Sequence, residues 1–132
     1  MAAARHEKLA FVARAMLLAP VAEAALRVLE LDRTLREVER WIPVGASAAP
    51  VVGGEAERAI ARAFRLQPWL PGRCLARALV QLVLHRRDGV HATLVVGVRR
   101  PGEGEVEAHA WVEPGPQAGG GGFEPIFQRA SR

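Results

Sequence analysis

The spacing of apolar residues switches once in this chain from a helical period to a strand period, at Asp88-Gly89, and that switch limits the folds available to it. Before it, Leu75, Ala78, Leu79, Leu82 and Val83 fall at i, i+3, i+4, i+7 and i+8, which predicts a helix from Cys74 to about Arg87 central to a core. After it, residues 91–98 alternate and are β-branched, a Pro-Gly turn spans Arg99 to Glu105, and a second strand runs from Val106 to Glu113. Period two places Ala108, Ala110 and Val112 on one strand face, with Glu107, His109, Trp111 and Glu113 on the other. The expected unit is a helix backed by a hairpin.

Upstream, residues 6–19 carry Leu9, Val12, Met16 and Ala19 at near-helical spacing, with Pro20 expected to end that helix and Val21 to about Leu31 to form another. Asp32 or Thr34 caps a third helix holding Leu35, Val38 and Trp41. Residues 43–54, rich in proline and glycine, read as a linker, and Ala56, Ile60 and Phe64 mark a further helix from Glu55. Residues 114–122 read as a flexible connection, with a last short strand from Phe123 to Phe127. The expectation is one α+β domain over 1–132: a helical part (1–42), the linker (43–54) and a core (55–132).

Cys74, the only cysteine, is the first residue of its helix, and His109 lies on a strand 35 residues on. A thiolate there faces unsatisfied backbone N–H groups and the positive end of the helix dipole, and a strand-borne histidine can carry its proton. These residues point to a thiol nucleophile and its base. One cysteine excludes an internal disulfide, and His6, His85, His91 and His109 show no zinc-like spacing, so neither a metal nor a cofactor is expected and a cytoplasmic setting fits. Seventeen of the 18 basic residues are arginine, giving a net charge of +4. No basic run exceeds two and no basic and aromatic residues interleave on a strand, so a nucleic-acid partner is not expected. Arg14 and Glu23 interrupt the apolar N-terminal stretch, so neither a membrane span nor a cleaved signal is expected.

Cys at a helix start followed by His on a strand is the order of papain and transglutaminase sites. Gly72-Arg73-Cys74-Leu75 with Arg77-Ala78-Leu79, then Leu94-Val95-Val96-Gly97-Val98-Arg99, then Ala108-His109-Ala110-Trp111-Val112-Glu113 together resemble the lasso-peptide leader peptidases, transglutaminase-like cysteine proteases. The likeness covers roughly residues 68–113. It implies a transglutaminase/papain-like core with the central Cys helix packed on a small antiparallel sheet, Cys74 as nucleophile and His109 as general base and acid. It implies a precursor peptide as substrate, a separate leader-recognition protein and an ATP-dependent macrolactam cyclase as partners. The family's aspartate, about a dozen residues past the histidine, falls here among Gly119 to Gly122, and no aspartate follows Asp88. Glu124 is the favoured substitute because it could reach from a neighbouring strand, with Glu113 the other choice. Gln67 is a candidate second oxyanion donor beside the Cys74 amide, Trp69 a cleft wall, Trp111 a shield for the histidine or a core residue, and Arg73 and Arg77 possible supports of the thiolate. Two other readings share these residues: a transglutaminase-like acyltransferase, and a degenerate scaffold that binds the precursor without cleaving it.

Overall fold

The computed structural model describes residues 2–71, 73–114 and 122–130. Four helices precede a small sheet: α1 (Ala2–Val28), α2 (Leu31–Trp41), α3 (Gly53–Arg65), α4 (Cys74–Asp88), then β1 (Thr93–Arg99), β2 (Glu107–Glu113) and β3 (Glu124–Ala130). The expected α+β class holds. Most of the tail expected to be flexible, residues 115–121, lies outside the described residues.

Pro20 does not end the first helix; it sits inside α1. Proline has no N–H to give the carbonyl four residues back, so a continuous helix orphans Met16 O. The side chain of Gln67 supplies the missing donor, with Nε2 at 3.0 Å from Met16 O. Arg5–Val28 is long and apolar enough to cross a membrane by length and composition alone, in spite of the interruptions at Arg14 and Glu23, although one of its faces is in the core.

That face is Phe11, Ala15, Ala19 and Ala22; of the predicted stripe Ala19 is buried and Val12 and Met16 pack partly buried beside it, while Leu9 is largely exposed. Small alanines let α1 approach α3 and α4 closely, and proximity of backbones outweighs the bulk of Leu9 in choosing the face. From α3, Ala56, Ile60, Ala63 and Phe64 meet it; from α4 nearly every side chain from Ala76 to Arg86 except Arg77 is buried. α4 stops at Gly89, whose φ of 72° is the left-handed conformation that helix C-caps use.

The segment read as a linker is strapped to that helix end. Gly45 N donates to Arg86 O at 3.0 Å, the Arg86 guanidinium donates to Ile42 O and Glu39 O, and Val51 is buried. A Cβ on Gly45 would lie 2.0 Å from Arg87 O, so only glycine permits the approach.

The sheet order is β2-β1-β3, antiparallel throughout. Ala110 and Val112 of β2 with Leu94 of β1 face the helical core, as period two predicts. α4 packs on β2 and β1. Arg129 of β3 pairs with Asp32 and Glu39 of α2, at 2.8 and 2.7 Å, and closes the far edge of the sheet onto the helices.

Candidate active site

Arg73, in extended conformation, precedes the first turn of α4 and offers no side-chain cap, and that turn has no acidic residue. Arg77 N reaches back to Arg73 O at 3.1 Å, so the amides of Cys74, Leu75 and Ala76 precede the first bond of the helical ladder. The Cys74 thiol is free and half-buried. It borders an open cavity of about 270 Å³ between α3, α4 and β2.

α4 presents Cys74, Arg77, Ala78 and Gln81 to this cavity, the i, i+3, i+4, i+7 face of a helix, and β2 presents His109, Ala110 and Trp111. The structure therefore brings the sulfur and the imidazole predicted from sequence to one cavity. α3 completes it with Glu57, Arg58, Ile60 and Ala61. Its lining mixes apolar side chains with the charged groups of Glu57, Arg58 and Arg77.

His109 is held by rings. Trp111 stacks on it at 5.8 Å between centroids and 23° between planes, and Phe123 contacts it at 5.4 Å. Arg99 in turn lies 4.5 Å over the Phe123 ring. Trp111 fits because Gly97, paired with His109 across the hairpin, has no side chain: a Cβ there would stand 2.8 Å from the indole. Trp111 is thus both the shield of the histidine and a buried residue.

The two carboxylates expected to orient His109, Glu124 and Glu113, are not among the residues that line the cavity. Glu113 accepts the Trp111 indole N–H at 2.9 Å. Glu124 is exposed on β3, opposite Val98, and β1 stands between it and the histidine strand; the neighbouring strand is β1. The glycine window beyond His109 lies outside the described residues except for Gly122.

Gln67 is neither a surface residue nor an oxyanion donor: it is buried, with Nε2 committed to Met16 O and, at 3.4 Å, to Ala63 O. Trp69 and Arg73 are exposed and are not among the residues lining the cavity, whereas Arg77 is. Sequence reasoning missed Glu57, Arg58, Gln81 and Phe123. Glu57 and Ala61 are i and i+4 on α3, beside the Ala56–Ile60 stripe, a pattern that could have flagged Glu57 as facing a neighbour. Burial pushes the Glu57 carboxyl above the usual carboxylate range, while His109 first and Arg77 second pull it back.

Among the described residues no group of three or more His, Cys, Asp or Glu is placed to hold a metal ion. The chemistry on hand is a thiol, an imidazole, backbone amides and a partly buried carboxyl, which together suit acyl transfer through a thioester. Residues 2–128 match the family described as transglutaminase-like superfamily. No curated protein and no solved structure matches the chain.

Proposed function

Because the chain belongs to the transglutaminase-like superfamily, we propose that it is a cytoplasmic cysteine peptidase that removes the leader from a ribosomally made precursor during lasso-peptide maturation. The observation that carries this reading is the cavity shared by Cys74, at the head of α4, and His109, on β2. The finer assignment to leader removal is supported by the phrases around Gly72-Arg73-Cys74-Leu75 and Ala108-His109-Ala110-Trp111-Val112-Glu113.

The Cys74 sulfur bonds to the scissile carbonyl carbon, with the amides of the first turn of α4 placed to donate to the oxyanion. His109, holding the thiol proton, gives it to the departing amine as the C–N bond breaks. His109 then takes a proton from water, which attacks the thioester and frees the leader as an acid. A separate recognition protein delivers the precursor, and an ATP-dependent macrolactam cyclase takes the released core.

Purified protein incubated with precursor and its recognition partner yields leader and core whose masses sum to the precursor plus one water. Cys74→Ala abolishes both products. Equal product profiles from wild type and Cys74→Ala overturn the reading, and an amine adduct in place of water assigns the acyltransferase instead.

A further inference from the structure

We infer that the cavity beside Cys74 takes an acidic stretch of peptide, with Arg77 and Arg58 binding a substrate carboxylate within about two residues of the scissile bond. This assigns a substrate class to the site and rests on the cysteine chemistry proposed above.

The first ground is placement. Cys74 and Arg77 are i and i+3 on α4, and both line the cavity. Residues so spaced are neighbours on one helix face, with Cβ atoms about 5–6 Å apart, close to the length of two extended residues at about 3.3 Å each. Arg58 lines the same cavity from α3, so cations approach the sulfur from two elements.

The second ground is charge. Arg14, Arg36, Arg99 and Arg129 are each engaged by a carboxylate, whereas Arg58 and Arg77 form no ion pair among the described residues. Glu57 is the one acid among the described residues of the lining, and two guanidinium groups against one carboxylate leave the mouth positive. A cleft of one sign concentrates ligands of the other, and the planar guanidinium fork matches a carboxylate with two parallel hydrogen bonds. Both arginines are exposed, so their charges stay hydrated until a ligand arrives and the free protein carries no buried cation.

The test compares two alkylating agents of nearly equal size, anionic iodoacetate and neutral iodoacetamide, with the product followed by intact mass. Each forms one S–C bond at Cys74 and expels iodide, and each needs the thiolate. The ratio of their rates therefore reports the charge around the sulfur and not its ionisation. At low ionic strength the native chain gives an iodoacetate to iodoacetamide ratio about threefold above that of the chain unfolded in urea. Arg77→Gln lowers the native ratio about twofold, Arg58→Gln moves it the same way, and Arg77→Lys keeps most of it. Glu57→Gln raises the ratio, an opposite shift that a disturbed fold would not give. Arg36→Gln removes an equal charge from α2, where the side chain pairs with Asp32, and leaves the ratio unchanged. A ratio equal in the native and unfolded chains, or equal in Arg77→Gln and wild type, overturns the inference even where leader is released. Selectivity that depends on Arg77, with no leader released, supports the anion site and overturns the peptidase reading. Where leader is released, exchanging the acid beside the scissile bond for its amide raises KM about fivefold with kcat little changed, and Arg77→Gln erases the difference. Equal KM values for acid and amide overturn the inference.

Discussion

Gln67 and His85 are polar residues whose roles their local sequence conceals. Gln67 repairs a hydrogen bond that Pro20 breaks 47 positions away in the chain. Gln67→Ala leaves Met16 O part-buried and unpaired, a loss of about 1–3 kcal/mol by chemical denaturation. In a Pro20→Ala background the new amide can serve Met16 O, and the cost of Gln67→Ala falls by about 1 kcal/mol; a double-mutant cycle with no coupling refutes the pairing. His85 is 2 % exposed, its Nε2 lies 3.3 Å from Gln81 Nε2, and its Nδ1 has no partner among the described residues. Burial pushes its pKa from 6.5 down to about 4. The unfolded chain therefore binds a proton that the native chain refuses: stability is full above about pH 6.5, and falls as the pH drops toward about 4, by at most about 3 kcal/mol. Denaturant midpoints across that window show the slope, and His85→Gln removes most of it. Cys74 and His109 were legible because a reactive pair has a local grammar, a helix start and a strand. Gln67, His85 and Glu57 had no such grammar, since their partners or surroundings come from distant segments.

Elements were more legible than their arrangement. The hairpin of β1 and β2, the helix at Cys74 and its stop at Gly89 follow from period and turn residues, because those signals are local. Strand order is not local: β3 could join either edge of the hairpin, and it joins β1, where Arg129 reaches Asp32 and Glu39. That choice takes Glu124 away from His109, and Glu124→Gln is expected to leave the rate of leader release within about twofold of wild type. The same order leaves β2 at an edge, with Gly97 on the central strand giving room to Trp111. Gly97→Ala puts a methyl group into the indole and close to Glu124 O at 3.1 Å, so the ring must move off His109. The expected result is a loss of about 1–3 kcal/mol in stability together with slower alkylation of Cys74, because the stack that fixes the imidazole is disturbed. An unchanged rate with lowered stability shows that the stack serves packing alone.

The N-terminal helices and the reactive site share one apolar interior. Phe11, Ala15 and Ala19 of α1 are buried with Ile60 of α3 and Leu79 of α4, and Ile60 is itself a wall of the cavity. The 43–52 segment adds a second tie through Gly45 and Arg86, so the proline- and glycine-rich composition that reads as a linker describes a strap docked on a helix end. Composition tells that a segment lacks regular structure, and not whether its amides find partners. Phe11→Ala removes a ring that is 1 % exposed and should cost about 3–5 kcal/mol. Helix content, followed by circular dichroism, and the accessibility of Cys74, followed by pulsed alkylation, should then shift to lower denaturant together, in a single transition. Were α1 and α2 a separate unit resting on the core, circular dichroism would show an early loss of helix while Cys74 kept its native reactivity. Coincident curves mean that the cavity exists only while α1 covers it.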